Sequence, residues 1–280
     1  MANFVALLIA GLATGALYAL VAVGFTLMWQ TSQTINFAQG EFVMLPAFFM
    51  LAAMNHGAPY WVALAIGVGL SLAILGLAFK RLLVDPMLRH GVLPLAIATM
   101  ALSSFLKESV KTFYSAEASP FPSPAPSSDL RVLGVAVSWQ SLAVLVAALL
   151  AVTLLQLGLS RTRIGRQMQA AAQNPTVAQI LGLPVERLIL YAFLLNAALV
   201  ALASALVSPI YLAKFSNGET LGQAAFIAAI VGGLLLGVVE NLGAAYISDA
   251  YRDAIPLFVL VVVILFRPNG LVGRAEERTV

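Results

Sequence analysis

The feature that most constrains this chain is a long stretch with almost no charge. Between Met1 and Phe79 the only charged side chain is Glu41, and long apolar runs lie on both sides of it. Of the 280 residues, 61% are hydrophobic and only 10% are charged, whereas an ordinary soluble domain is about 25% charged. Only a lipid environment tolerates this ratio, so the sequence predicts a protein that crosses a membrane several times.

Apolar runs of about the length that crosses a bilayer recur along the chain. A hydrocarbon core of about 30 Å needs about 20 helical residues, and the runs do not alternate as the strands of a membrane barrel do. We therefore predict an all-α polytopic integral membrane protein with one transmembrane domain over residues 1–280. About eight segments are expected, at 3–29, 38–54, 60–79, 92–106, 139–158, 188–207, 223–247 and 254–266.

Basic residues mark the loops that stay in the cytoplasm. They gather in three regions, at Lys80, Arg81 and Arg89, at Arg161, Arg163, Arg166 and Arg187, and at Arg267 and Arg274. We expect all three regions to face the cytoplasm. The proline-rich loop at about 112–138 and the N-terminus then lie outside, and the C-terminus lies inside.

Near the C-terminus, the number of apolar runs does not match the number of membrane crossings that this orientation requires. An odd number is needed between the outer loop near Gly218 and the inner tail at Arg267, yet the sequence offers two runs, 223–247 and 254–266. Three alternatives stay open: the first run folds back as a re-entrant helix, it hides a broken pair of half-helices, or the two runs form one bent crossing.

The longest polar connection, at about 160–187, predicts two short helices at the membrane face. Pro175 suits the first turn of the second helix, Gly182 can end it in a left-handed conformation, and Pro184 discourages its continuation. Apolar residues are expected to share one side of the pair: Met168, Ala172, Val177, Ile180 and Leu181. Two interpretations stay open, an interfacial connector whose arginines meet lipid phosphates and a docking surface for a cytoplasmic partner.

A carboxylate inside a membrane span is costly, which makes Glu41 a candidate functional residue. One interpretation is a carboxylate at the start of a helix, favoured by the helix dipole, with Asn36 as the N-cap. The other places Asn36, Gln39 and Glu41 beside a water-accessible pathway or at a partner surface. Glu240 is a second polar point of this kind.

Glycine and lysine positions give two further expectations. Gly11 and Gly15, like Gly233 and Gly237, have the spacing that lets membrane helices approach closely. Three charged residues at the outer end of the fourth run are expected to extend towards the interface. These are Lys107, Glu108 and Lys111.

Several classes of function lack their motifs. The chain has no phosphate-binding loop of the G-x-x-x-x-G-K-[ST] type, so it cannot bind ATP by that route. Its two histidines, His56 and His90, lie in different loops without metal-ligand spacing, and no Ser/His/Asp combination stands out. We expect no enzyme activity, no cofactor and no metal.

The opening of the chain resembles the permeases of the high-affinity branched-chain amino acid ABC transporters. The resemblance rests on "GLATGALYALVAVGFTLMWQTSQTINFAQGEFVMLPAFF", in which Asn36, Phe37, Ala38, Gln39, Gly40 and Glu41 match the family signature. "AFIAAIVGG", "LLLGVVENL" and the closing "LFRPNGLVG" are similar too. The resemblance covers nearly the whole chain.

This resemblance implies a permease subunit of an importer in the bacterial plasma (inner) membrane. Its implied partners are cytoplasmic ATP-binding subunits, a second permease subunit, an extracytoplasmic substrate-binding protein and membrane lipid, but no nucleic acid. The stretch "GRQMQAAAQNPTVAQILGLPVERL" resembles the loop that engages the ATPase, which singles out Arg166, Ala171, Ala172, Gln173, Asn174 and Gly182. The signature and pathway candidates are Asn36, Gln39, Gly40, Glu41 and Glu240.

The chain departs from the family at one place. Relatives usually carry a further segment rich in glycine and proline before "LLLGVVENL", whereas here Gly232 and Gly233 lead straight into Leu234. Urea and short-chain amide permeases share the architecture and remain alternative substrate classes. An ion- or proton-coupled secondary transporter or channel is the alternative function, although such proteins usually place more ionisable residues near the bilayer midplane.

Overall fold

The computed structural model describes residues 2–114, 117–124, 126, 129–132, 135–252 and 254–267. Arg274 and the end of the closing "LFRPNGLVG" segment lie outside the described residues, as do parts of the loop at about 112–138. The helices are α1 (Ala2–Ser32), α2 (Gln39–Asn55), α3 (Tyr60–Ser71), α4 (Asp85–Leu88), α5 (Val92–Phe113), α6 (Trp139–Arg161), α7 (Arg163–Gln173), α8 (Pro175–Ile180), α9 (Val185–Tyr211), α10 (Asn217–Val231), α11 (Gly233–Tyr246) and α12 (Ala254–Phe266).

These helices confirm the all-α polytopic architecture. Each of the eight predicted runs falls on helix, and one of them falls on two helices. Five helical stretches in the described part of the chain are long and apolar enough to cross a bilayer: Phe4–Ser32, Tyr60–Leu88, Val92–Phe113, Trp139–Arg161 and Val185–Tyr211. Helices α1, α2 and α9 form the interior of the bundle. Helices α5 and α6 instead expose apolar side chains such as Phe105 and Leu154, as a lipid-facing surface requires.

The region around Lys80 differs from the prediction of a connecting loop. Helix continues from α3 to α4 through two π-helical stretches, Leu72–Ala78 and Lys80–Val84. Lys80 is buried, and its Nζ donates to the Asp85 carboxylate at 2.9 Å. A buried lysine is tolerated here because its charge is paired and its long stem packs on apolar neighbours.

The polar loop between α5 and α6 carries the described part of a small β-hairpin that the sequence did not predict. Strand β1 (Asp129–Val132) pairs antiparallel with β2 (Val135–Ser138). A separate backbone bridge joins Ser119 of this loop to Ala213, which precedes α10. The loop is therefore tied to the chain that leads into the C-terminal helices.

The run at 223–247 is broken at Gly232 and folds back on itself. Gly232 has φ +101°, a conformation that glycine adopts without strain. Gln223 of α10 and Glu240 of α11 line one cavity of about 30 Å³, although a straight helix would separate them by about 25 Å. The first turn of α10 and the last turn of α11 therefore lie at the same end of the bundle, which agrees with two of the alternatives, a break into half-helices and a run that folds back.

Helix α11 packs on α1 through glycines, as the two small-residue spacings suggested. A Cβ added to Gly15 would lie 2.7 Å from the carbonyl oxygen of Gly233, and one added to Gly11 would lie 2.9 Å from the Cα of Val238. Gly237 also meets the backbone of Gly15 and Gly11. Because the residue numbers rise along α11 as they fall along α1, the two helices are antiparallel.

We predict that Gly15→Ala destabilises the protein by about 1–3 kcal/mol, because the added methyl group meets backbone atoms that cannot rotate away. Gly69→Ala is the matched control, since a Cβ at Gly69 meets no atom within 4 Å and alanine favours helix. Thermal unfolding of the two purified variants in detergent measures the difference. Equal melting temperatures would contradict the close α1–α11 contact.

Candidate functional site

A cavity of about 580 Å³ opens among α1, α2, α5, α10 and α12. Its wall is mostly apolar, with a few polar groups set into it, which is typical of binding sites for small molecules. The lining side chains include Phe25, Ile35, Asn36, Phe37, Gln39, Glu41, Met100, Ser103, Lys107, Glu219, Gln223, Phe226 and Leu257. Four of the five predicted pathway residues, Asn36, Gln39, Gly40 and Glu41, lie in this wall.

Glu41 and Asn36 each present a polar atom without a hydrogen-bonding partner among the described residues. Glu41 is only 4% exposed; its Oε1 accepts a hydrogen bond from Ser103 Oγ at 3.2 Å, and its Oε2 has no such partner. Asn36 is 5% exposed, and its Nδ2 has none either. A buried polar atom left unsatisfied is costly, so the two atoms are candidates for contacts with a bound molecule.

The expected role of Asn36 as the N-cap of α2 is wrong. The helix begins at Gln39 after Ala38, which has no capping side chain. Asn36 Oδ1 instead accepts from the Ala38 N–H at 3.0 Å, which closes a local turn before the helix. The neighbouring Phe37 N–H donates to Thr99 Oγ1 of α5 at 3.2 Å, so the turn is fixed against a second helix inside the bundle.

Gln39 is held by a buried amide pair that the sequence did not reveal. Its Nε2 donates to Asn196 Oδ1 at 2.8 Å, and Asn196 Nδ2 donates back to Gln39 Oε1 at 3.1 Å. Both residues are almost fully buried. The reciprocal pair fixes the start of α2 to the middle of α9, next to the cavity.

Gly40 lets α2 and α10 meet directly at the cavity wall. A Cβ on Gly222 would lie 2.7 Å from the Cα of Gly40, and a Cβ on Gly40 would overlap the backbone of Gly218. No side chain fits at this crossing. Glu41 is thereby placed against Gly218 at the first turn of α10.

Lys107 does not simply extend to the membrane interface as expected. Its Nζ donates to Glu219 Oε2 at 2.6 Å, and both residues line the cavity. The side chains are 29% and 56% exposed, so this ion pair lies at the open end of the cavity. Lys111 and Glu108 pair with each other, and neither lines the cavity; their interfacial position stays a prediction.

Glu240 lies in a separate, smaller cavity. It is 3% exposed, it hydrogen-bonds with Tyr18, and it lines the cavity of about 30 Å³ together with Thr220. Gln223, Ile227 and Leu257 line both cavities. Glu240 therefore lies behind the wall of the large cavity and not in it.

The polar loop at about 160–187 has the two predicted short helices, α7 and α8. Thr162 Oγ1 caps α7, Asn174 Oδ1 caps α8 by accepting from the Val177 N–H at 3.0 Å, and Gly182 ends the turn with φ +79°. Arg166 and Gln173 are exposed, Ala172 is half-buried, and Ala171 is buried.

The apolar residues of this loop do not share one side, which corrects the prediction. Met168 packs inward with Ala171 and Ala178 against α9. Ile180 and Leu181 instead point outward, 79% and 74% exposed, and Val177 is exposed beside them. The pair of helices is therefore anchored by one apolar face and displays another, which we call the α8 patch (Val177, Ile180 and Leu181).

Sequence reasoning missed Asn196, Ser103 and Glu219. Asn196 carried a usable signal, because a single amide in the apolar stretch "LLNAALV" is costly unless it is paired. Ser103 and Glu219 carried none, because a serine in a membrane helix and an acid at a helix start are both ordinary.

Comparisons with known proteins agree with one another. A family model described as the permease component of branched-chain amino acid transport systems matches residues 7–264. The high-affinity branched-chain amino acid transport system permease protein BraD of Pseudomonas aeruginosa is 31% identical over 98% of this chain and 97% of its own length. The LivH permease protein of Escherichia coli K12 is 28% identical over 96% of each chain, and a probable LivH of Methanocaldococcus jannaschii is 26% identical over 92% of this chain and 89% of its own. No solved structure matches significantly.

We predict that Asn196→Leu destabilises the protein by about 1–3 kcal/mol, because it leaves the buried Gln39 amide without a partner. Adding Gln39→Met to this variant should recover a large part of the loss, since two apolar side chains can replace a buried polar pair at little cost. Unfolding in detergent measures both. A double variant no more stable than the single one would show that the two amides do not act as a pair.

Proposed function

The chain belongs to the family of permease components of branched-chain amino acid transport systems, and we propose that it is the membrane-spanning permease subunit of an ABC importer for these amino acids. The observation that carries this proposal is the cavity of about 580 Å³ inside a bundle of membrane helices. Its apolar wall suits an aliphatic side chain, and its few polar groups suit the polar end of a small solute. The family supports this function over an ion-coupled secondary transporter, because none of the comparisons favours that alternative.

The energy for transport comes, in this proposal, from partner ATPase subunits. The chain has no phosphate-binding loop of its own. The α8 patch supports docking of such a partner, because apolar side chains exposed on a loop between two membrane helices mark an interaction surface. A soluble binding protein outside and a second permease subunit, either a copy or a homologue, complete the importer.

Movement of the α8 patch can reach the cavity through packed side chains. Met168, Ala171 and Ala178 pack with Leu188 and Ala192 of α9. Asn196 follows Ala192 by one helical turn and bonds to Gln39 in the cavity wall. A tilt of α7 and α8 would therefore be passed along α9 to the start of α2, which is how ATPase closure would change access to the cavity.

We propose that the loop at about 160–187 lies in the cytoplasm and that the N-terminus and the loop at about 112–138 lie outside. The exposed arginines around α7 support this orientation. In a bacterium the protein then lies in the plasma (inner) membrane, as one transmembrane domain over residues 1–280.

The absence of cysteine in all 280 residues makes this orientation easy to test. Single cysteines are introduced by Glu117→Cys in the proposed outer loop and by Gln179→Cys on α8. A membrane-impermeant maleimide added to spheroplasts should label the first at once and the second only after permeabilisation. The opposite pattern would reverse the orientation.

We predict that Ile180→Asp lowers recovery of the ATPase subunits, because a charge in the α8 patch must be desolvated when a partner covers it. Recovery on co-purification in mild detergent should fall at least tenfold. Gln179→Asp, which adds the same charge at a neighbouring exposed polar position, should leave recovery within twofold. Equal recovery of both variants would remove the docking role of the patch.

A further inference from the structure

Two residues in the wall of the large cavity carry buried polar atoms of opposite hydrogen-bonding character, and neither atom has a partner among the described residues. Glu41 Oε2 is an acceptor, and Asn36 Nδ2 is a donor. Both residues are more than nine-tenths buried, and both line the cavity. A molecule that satisfies both atoms must offer a donor at one point and an acceptor a short distance away.

Helix α5 fixes the segment that carries Asn36 and Glu41. Phe37, next to Asn36, is bonded to Thr99, and Glu41 is bonded to Ser103. Thr99 and Ser103 are four residues apart on α5, which corresponds to a rise of about 6 Å. The segment from Phe37 to Glu41 is therefore bonded to α5 at two points about one helical turn apart, and a compact molecule can reach both ends of so short a segment.

The charge distribution indicates which kind of group this is. The carboxylate of Glu41 favours a cationic donor, and an amide N–H suits an anionic or neutral oxygen. The charged pair Lys107–Glu219 already satisfies itself at the open end of the cavity, so it is not required for this contact. The same cavity wall includes the apolar side chains of Phe25, Phe37 and Phe226.

We propose that this part of the cavity is a subsite for the zwitterionic end of an α-amino acid. The substrate's α-ammonium group donates to Glu41 Oε2, its α-carboxylate accepts from Asn36 Nδ2, and its side chain lies against the apolar wall. The assignment rests on the proposed transport of branched-chain amino acids and adds to it the residues that recognise the part common to all of them. Binding of the zwitterion removes the cost of two unsatisfied buried atoms, which gives the cavity affinity for amino acids over hydrocarbons of equal size.

Two nearly isosteric substitutions test the proposal while they keep the local structure. Glu41→Gln keeps an oxygen that can accept from Ser103 and replaces the free acceptor by a donor. Asn36→Asp keeps the Oδ1 atom that accepts from the Ala38 N–H and replaces the free donor by an acceptor. The matched controls are Glu108→Gln and Asn55→Asp, which make the same changes at residues that do not line the cavity.

The measurement is ATP-dependent uptake of leucine by proteoliposomes that contain the complete importer, with unmodified binding protein supplied. Glu41→Gln and Asn36→Asp should each lower the uptake rate at least tenfold, with unchanged melting temperature in detergent, while both controls stay within twofold of the unmodified importer. Uptake within twofold for either cavity variant, or a loss of uptake accompanied by an equal loss of thermal stability, would overturn the subsite.

A third variant separates recognition of the substrate from the nearby ion pair. Glu219→Gln removes the partner of Lys107 and leaves both subsite atoms in place, so uptake should remain well above that of Glu41→Gln. Equal losses would assign the effect to general charge at the cavity and would overturn the subsite. Failure of the unmodified importer to take up leucine with ATP would instead contradict the proposed function itself.

Discussion

The structure depends on two places where helices touch through their backbones. Where α1 crosses α11 and where α2 crosses α10, the contacting glycine positions leave no room for a Cβ atom between the two helices. Glycines occur on both helices of each pair. In a lipid environment apolar side chains gain little from one another compared with lipid tails, so close packing of backbones is a main source of helix association. These two crossings hold the beginning of α2 and the hairpin of α10 and α11 inside the bundle, and the cavity is the space that remains beside them.

Some polar groups of this structure satisfy one another, whereas others keep a buried atom without a partner among the described residues. Gln39 and Asn196 satisfy each other and fix α2 to α9. Lys80 is satisfied by Asp85, and Lys107 by Glu219. Glu41 and Asn36 line the cavity, and each retains one buried atom without a partner among the described residues. Because an unsatisfied buried atom lowers stability, its presence beside a cavity is most simply explained by a ligand that completes it.

Much of the fold could be predicted from the sequence, because the apolar composition and the length of a run can be read from neighbouring residues alone. The apolar runs, the small helices α7 and α8 and the turn at Gly182 all follow from local rules. The hairpin at Gly232 was among three alternatives between which the sequence could not choose, since hydropathy does not tell a span from two half-helices. Gln39 and Asn196 are 157 residues apart in the chain, so only the folded structure brings the two amides together. For the same reason Ile180 and Leu181 were expected on the same side as Met168, whereas Met168 is buried with Ala171 and the other two are exposed.

The reversal at Gly232 also determines how this protein can vary in length. Helix α11 returns towards the end of the bundle from which α10 starts, so residues added or removed at the tip of the hairpin change its length and leave its two other ends together. A straight crossing has no such freedom, because its length must match the bilayer. The hairpin can therefore change in length at its tip without changing the end of the bundle from which the chain continues into α12.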